Sequence, residues 1–200
     1  MPDRSIADRI EAVVIGTSAG GVEALSAVLP ALPADVCAPV FVVLHLPRER
    51  PSVLSDIFAK KCRVPVREAI DKDPIAPGTI YFAPPDYHLL IDEGPAIALS
   101  ADEPVHHSRP SIDVLFESAA DVFGQGLLAI LLTGGNQDGA AGLAAVGAAG
   151  GITVVQDPAE AQVPMMVESA LARGPVDYQL RLEAIAGLLG RLRTKGRRRG

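Results

Sequence analysis

The sequence predicts an α/β fold: a doubly wound, mostly parallel sheet with helices on both faces, a Rossmann-like three-layer sandwich in a single domain. Three observations predict it. Short, wholly apolar runs recur along the chain: V-V-I at 13–15, V-F-V-V-L at 40–44, L-L-A-I-L-L at 127–132 and V-V at 154–155. Strands buried on both faces read this way. Segments with apolar residues at helical spacing lie between them. The 200 residues, 48% hydrophobic, suffice for one well-buried core and are short for two.

Taken in order, Val13–Ile15 is the first strand. A helix over Gly21–Leu32 follows, with Val22, Leu25, Leu29 and Leu32 on one face. Val40–Leu44 is a second buried strand, and a helix spans about Ser52–Lys61. Thr79–Ala83 and Leu89–Ile91 are shorter strands, separated by a turn at Pro-Pro-Asp. The stretch from about 64 to 110 is proline-rich and reads as irregular insertions in the one domain. Ser111 caps a helix that turns Ile112, Leu115, Phe116, Ala119 and Phe123 inward. Leu127–Leu132 is the third buried strand. A helix of very small residues, Asp138–Ala149, follows, and these residues allow close packing on the sheet. Ile152–Val155 is a fourth strand, then come a helix near Val167–Arg173, a short strand near Val176–Tyr178 and a last helix to about Leu192. The boundaries that follow are an N-terminal extension at 1–11, the domain proper at 12–192 and a basic, disordered tail at 193–200.

Composition narrows the function classes. Six of the 18 basic residues lie in R-L-R-T-K-G-R-R-R-G at 191–200, so the other 12 face 24 acidic ones. An acidic body of this kind is a poor partner for nucleic acid. The tail reads either as a solvated end or as a docking element for an acidic surface. The N-terminus is charged and polar, unlike a signal peptide, and there is no long apolar run for membrane insertion. Cys37 and Cys62 have no metal or redox spacing. They read as small core hydrophobes of a protein in the reducing cytoplasm.

The most informative stretch is V-V-I-G-T-S-A-G-G at 13–21. A dinucleotide fingerprint needs glycine at its middle position, where this chain has Ser18, and no Gly-Lys-Ser/Thr follows for a P-loop. The same letters fit Gly-x-Ser-x-Gly, an elbow that exposes a serine hydroxyl between strand and helix. The helix N-terminus behind it offers free N–H groups to an oxyanion. Ser18 could equally cap that helix. A nucleophile needs a base, and His45 directly follows the strand V-F-V-V-L. Asp138 follows the strand Leu127–Leu132 in L-L-T-G-G-N-Q-D-G, either as the acid that orients the base or as the N-cap of the next helix. All three stand where carboxyl ends of parallel strands converge, the usual ligand position in open α/β sheets. Hydrogen-bond reach among them, about 2.6–3.2 Å or looser without ligand, is the expectation.

Several linked segments resemble the catalytic domain of the bacterial chemotaxis protein-glutamate methylesterases. They are I-G-T-S-A-G-G-V-E-A-L, L-H-L-P, Y-F-A-P-P-D-Y-H, S-R-P-S-I-D-V-L-F and L-L-T-G-G-N-Q-D-G-A-A-G-L, in order over about Ala12–Leu192. The resemblance implies a serine hydrolase of glutamate γ-methyl esters on the helical bundles of chemoreceptors, with deamidation of certain receptor glutamines. It implies Ser18 as nucleophile, His45 as base and Asp138 as orienting acid, with no metal or cofactor. The backbone N–H groups of Ala19 and Gly135 are the expected oxyanion donors. Where the family usually reads Thr-Gly-Met-Gly-x-Asp-Gly, this chain has Gly135 and Asn136 in place of the methionine and the following glycine. Met165-Met166 replaces a Met-Pro, and Ser108 stands where a histidine is common beside Arg-Pro-Ser. Family members commonly carry a receiver domain before the catalytic one. Here the first strand begins near residue 12, which leaves open a free-standing enzyme, a fragment, or control by a separate receiver-domain regulator.

Asp86 and His88 are expected in a loop at the rim of the cleft. Arg109 is a second rim candidate, or a structural salt-bridge partner of Asp113. His106 and His107 lack a ligand set for a metal. Three rivals to the esterase remain on sequence grounds: a non-catalytic binding module of a signalling complex, a hydrolase of small esters or amides, and a nucleotide-binding protein.

Overall fold

The computed structural model describes residues 7–45, 53–94, 96–192 and 194. Its strands are β1 (Ala12–Thr17), β2 (Val40–Leu44), β3 (Val66–Glu68), β4 (Ile80–Phe82), β5 (His88–Asp92), β6 (Ala96–Ser100), β7 (Leu127–Leu131), β8 (Ile152–Gln156) and β9 (Tyr178–Leu180). Its helices are α1 (Gly21–Val28), α2 (Leu54–Ala59), α3 (Ile112–Phe123), α4 (Ala140–Ala148), α5 (Met165–Arg173) and α6 (Leu182–Leu189). Seven strands form one sheet in the order β3-β4-β2-β1-β7-β8-β9, and every pairing in it is parallel. β5 and β6 pair antiparallel as a separate hairpin.

The apolar runs become strands because both faces of the sheet are covered. Every residue of β1, β2, β7 and β8 is buried. Alternate residues of these strands serve two separate cores. Val13, Ile15, Val40, Val42, Leu128 and Ile130 pack with α1, α2 and α6. Val14, Phe41, Val43, Ala129, Leu131 and Val155 pack with α3, α4, α5 and the hairpin. Fully burying one such aliphatic or aromatic side chain contributes about 1.5–3 kcal/mol. Helices on both faces of a parallel sheet make the fold doubly wound.

Several boundaries differ from the sequence reading, each for a local reason. The first helix stops at Val28 and continues as a 3-10 turn over Leu29–Ala31, because Pro30 has no N–H to continue the ladder. The mid-section is more regular than expected. It holds β3, an edge strand whose side chains are half-buried or exposed and therefore form no apolar run, and the β5–β6 hairpin. The ninth strand sits at Tyr178–Leu180, later than predicted, because Asp177 is engaged by side-chain pairing. Its carboxylate accepts from the Thr153 N–H and hydroxyl at 2.9 and 2.8 Å. Of the predicted N-terminal extension, Ala7 and Ile10 are buried and the Glu11 N–H donates to the Gly126 carbonyl. Thr194 bridges Val36; the rest of the predicted basic tail lies outside the described residues. Both cysteines are half-buried. Burial pushes the Cys62 thiol up to about 11 despite the neighbouring Lys61, so it is held as a neutral thiol.

The small-residue helix α4 makes its closest approach to α3 rather than to the sheet. A Cβ on Gly142 would lie 2.6 Å from Phe116 Cβ and 3.0 Å from the Asp113 backbone. Gly147, on the exposed side of the same helix, has only Thr153 Cγ2 nearby, at 3.7 Å. Chemical denaturation should therefore separate two identical substitutions. Gly142→Ala is expected to destabilise by about 1–3 kcal/mol through overpacking. Gly147→Ala is expected to stabilise by roughly 0.5–1 kcal/mol through helix propensity.

Candidate active site

The sheet reverses its winding between β1 and β7, and the candidate residues gather there. In the register of the sheet Thr17 lies opposite Leu44 and Gly16 opposite Leu131. One step further, the His45 N–H donates to the Thr17 carbonyl at 3.2 Å and the Ser18 N–H to the Thr133 carbonyl at 3.0 Å. Ser18 thus emerges from the carboxyl end of β1 with His45 on one side and Thr133 on the other. The elbow turns at Gly20, whose φ of 79° suits a residue without Cβ. A side chain there would also strike Gln162, whose Oε1 would lie 2.5 Å from the added Cβ.

Thr133 holds the turn in place. Its carbonyl accepts from both Ser18 N–H and the Thr17 hydroxyl, the latter at 2.8 Å. Its own hydroxyl donates to the Ala19 carbonyl at 2.9 Å and accepts from the Val163 N–H at 2.9 Å. Its N–H donates to the Gln156 side chain at 2.9 Å. Sequence reading did not single out Thr133 or Gln156. The available signal was a polar residue at the end of each apolar run, a position where burial demands a partner.

His45 and Asp138 meet as expected: His45 Nε2 stands 2.9 Å from Asp138 Oδ2. Asp138 is fully buried. Burial alone would raise its carboxyl. The hydrogen bonds from His45 and from the Asp113 and Ile112 N–H groups outweigh burial, and the carboxyl lies below its ordinary value. An ionised carboxylate only accepts, so the proton of His45 sits on Nε2 and the lone pair on Nδ1, which has no hydrogen-bond partner among the described residues. Asp138 also accepts from the Ser111 hydroxyl at 2.8 Å, the Ile112 N–H at 2.7 Å and the Asp113 N–H at 3.0 Å. It is not the cap of the helix that follows it: α4 has Gly139 at its N-cap without a side-chain bond. Asp138 reaches across to the N-terminus of α3 instead, whose cap is Ser111 as predicted.

The Ser18 hydroxyl completes the arrangement less tightly. Ser18 is half-buried, and its Oγ makes no hydrogen bond among the described residues. Of the expected reach, the His45–Asp138 contact is present and a Ser18–His45 hydrogen bond is not. Apo geometry of this kind does not exclude a catalytic pair, because such hydrogen bonds are often long or poorly aligned without ligand. The N–H groups of Ala19 and Gly135 have no partner among the described residues, whereas the Ser18 and Gly134 N–H groups are used by Thr133 and Val163.

The rim differs from expectation. His88 is not in a loop at the cleft but in β5, 2% exposed. Its Nδ1 accepts from the Ser111 N–H at 3.1 Å, so its Nε2–H donates to the Glu103 carbonyl at 3.2 Å. It props the segment that carries Ser111. Arg109 does not pair with Asp113. Its Nε and Nη2 both donate to Asp86 Oδ1, at 3.1 and 2.7 Å, and its Nη1 to the Ala101 and Asp102 carbonyls. A carboxylate half in water at Asp86 was the nearer and cheaper partner. Asp113 instead turns inward: its carboxylate accepts from the Gly139 and Gly142 N–H groups at 2.9 and 2.6 Å, and His106 Nε2 lies 3.4 Å away. Burial, with the nearby Asp138 charge, raises the Asp113 carboxyl. Among the described residues no group of three or more His, Cys, Asp or Glu side chains is placed to hold a metal ion, and no helix is long and apolar enough to cross a membrane.

The lowered Asp138 carboxyl has a consequence for acid stability. A group depressed in the fold stabilises it above the ordinary carboxyl value, and that contribution fades as pH falls through the folded value. Asp113, raised, acts with the opposite sign. Below about pH 4, where an ordinary Asp titrates, removing the Asp138 contribution should flatten the stability loss. Thermal melts from pH 6 to 2.5 should show a shallower acid slope in Asp138→Asn than in the unsubstituted chain; equal slopes would contradict the assignment.

Comparison with known proteins bears on the family and the fold. The CheB methylesterase family model matches residues 13–189. A putative protein-glutamate methylesterase/protein-glutamine glutaminase of Leptospira interrogans is 44% identical over 182 residues, covering 91% of this chain and 94% of that protein. Protein-glutamate methylesterase/protein-glutamine glutaminase 2 of Anaeromyxobacter dehalogenans is 42% identical over 186 residues, covering 93% of this chain and 54% of that longer protein. The crystal structure of the Thermotoga maritima CheB methylesterase catalytic domain superposes with a TM-score of 0.85 at 31% identity, over 90% of this chain and 97% of that one. With sheet order, winding and sequence likeness in agreement over nearly its whole length, the chain belongs to the CheB methylesterase family.

Proposed function

We propose that the chain is a serine hydrolase that cleaves glutamate γ-methyl esters on chemoreceptor helical bundles, releasing methanol, and that it also deamidates receptor glutamines. The observation that carries the reading is the His45–Asp138 contact at 2.9 Å, placed beside Ser18 at the switch point of the sheet. Homologues named for both activities support the choice of substrate.

The steps follow from the groups present. Nδ1 of His45, the nitrogen not engaged by Asp138, takes the Ser18 proton as Oγ attacks the ester carbonyl. Asp138 holds the ring by Nε2–H and stabilises the imidazolium that forms. The N–H groups of Ala19 and Gly135 receive the developing oxyanion; one such donor is worth roughly 10²–10³ in rate. The proton passes from His45 to the departing methoxide. Water, deprotonated by the same nitrogen, then releases the glutamate carboxylate. For a glutamine substrate the leaving group is ammonia and the remaining steps are unchanged. A separate receiver-domain protein is the regulator this scheme would accept.

The experiment is methanol release from methylated receptor by the purified chain. Ser18→Ala and His45→Ala are each expected to lower kcat by about 10³-fold or more at unchanged fold, as removal of a triad member does elsewhere. Wild-type chain that binds receptor but releases no methanol, or a Ser18→Ala chain that keeps wild-type turnover, overturns the proposal. Faster turnover of small aryl esters than of receptor would move the substrate assignment to small esters.

A further inference from the structure

We infer that Asp113 is a positioning residue for the Asp138–His45 pair, acting by gripping the chain on both sides of Asp138. The inference rests on the esterase reading above and adds a residue to it.

The two helices that meet at the site cap each other. Asp138, which precedes α4, receives the Ile112 and Asp113 N–H groups at the start of α3. Asp113, in the first turn of α3, receives the Gly139 and Gly142 N–H groups at the start of α4. Each carboxylate thus fills the orphan donors of the other's helix. Gly139 needs this support: its φ of 94° is a left-handed value, and Leu131 and Ile112 leave no room for a side chain. Its N–H is the first backbone group after Asp138, so the Asp113 carboxylate fixes where the Asp138 side chain begins.

A second contact reaches the other flank. The Gln137 amide lies 3.3 Å from His106 Nδ1, and His106 Nε2 faces Asp113 Oδ2 at 3.4 Å. With Gln137 donating to Nδ1, the His106 proton sits on Nε2 and points at Asp113. Residues 137 and 139 are therefore both tied to Asp113, one through an imidazole and one directly. The titratable groups facing Asp113 are Asp138, His106 and, one turn along α3, Glu117, which itself faces Asp121 and Arg173. Asp113 is 4% exposed, so its charge acts on its neighbours with little screening.

The test compares two substitutions. Asp113→Ala leaves the Gly139 and Gly142 donors unpartnered and should let Asp138 shift. The expected result is a kcat lower by about 10- to 100-fold with little change in KM, the scale of a small misplacement of a reacting group. Asp113→Asn keeps an acceptor oxygen and should restore most of kcat. Because it removes a negative charge that favours the imidazolium, it should also move the acid limb of kcat/KM to lower pH by roughly half a unit. A loss of fold alone would not move that limb. Wild-type kcat in Asp113→Ala, an unmoved acid limb in Asp113→Asn, or an Asn variant no better than Ala overturns the inference. If Asp113→Ala does not fold, the acid limb of Asp113→Asn decides. A readout that needs no turnover keeps this separate from the esterase reading: the downfield proton resonance of His45 Nε2–H on Asp138. Its loss in Asp113→Ala and retention in Asp113→Asn support the inference even if methanol release fails, and its persistence in Asp113→Ala overturns it.

Discussion

The site depends on one buried carboxylate with every acceptor position occupied. Asp138 receives four donors: a ring N–H, a hydroxyl and two backbone N–H groups. A carboxylate without water around it is costly unless it is hydrogen-bonded, and here the bonds more than offset the burial. Two consequences follow from that balance. The charge stays ionised, so His45 is held in one tautomer with its lone pair on Nδ1. The side chain also has a single orientation, because rotating it would break three contacts to the start of α3 together with the bond to His45.

That arrangement constrains structure well beyond the site. Asp138 can reach the N-terminus of α3 only because α3 and α4 approach very closely, and Gly142 is the residue that permits it. The helix reads in sequence as an oddly polar-free stretch of alanine and glycine. In the fold those residues let two helix N-termini face each other with an acid from each placed between them. The parallel sheet supplies the other half: its register carries Ser18, His45 and Thr133 to one level because β2, β1 and β7 end together. Strand ends bring Ser18 and His45 side by side, and the start of α3 holds Asp138.

How much of this could be read from the residues divides along physical lines. The buried strands were legible because a parallel sheet covered on both faces leaves no polar alternation to obscure the run. The elbow, His45 and Asp138 were legible because each follows such a run. The mid-section was not: β3 is an edge strand carrying Arg67 and Glu68, and His88 looked like loop although it is the first residue of β5. Side-chain partners across long separations were the least legible. Arg109 pairing with Asp86 rather than Asp113, and Asp113 with backbone N–H groups and His106 rather than Arg109, follow from the path of the 101–110 segment, where His106 and His107 have positive φ. No local pattern encodes that path.

The acid loop, where the chain departs from the family pattern, divides into one open and one braced position. A Cβ on Gly135 would touch only Val163, at 3.8 Å, and φ there is not left-handed, so nothing in the backbone or packing demands glycine. What glycine leaves at 135 is open space at an exposed point of the loop whose N–H has no partner among the described residues. Asn136 does the reverse. Its Oδ1 accepts from the Asp138 N–H at 3.2 Å and its Nδ2 donates to Ser108 Oγ at 3.2 Å. The two residues that differ from the family pattern at 108 and 136 therefore contact each other, and the contact ties the acid loop to the segment leading into α3. A loop that gains freedom at 135 is held again one residue later, just before the aspartate whose orientation the site requires.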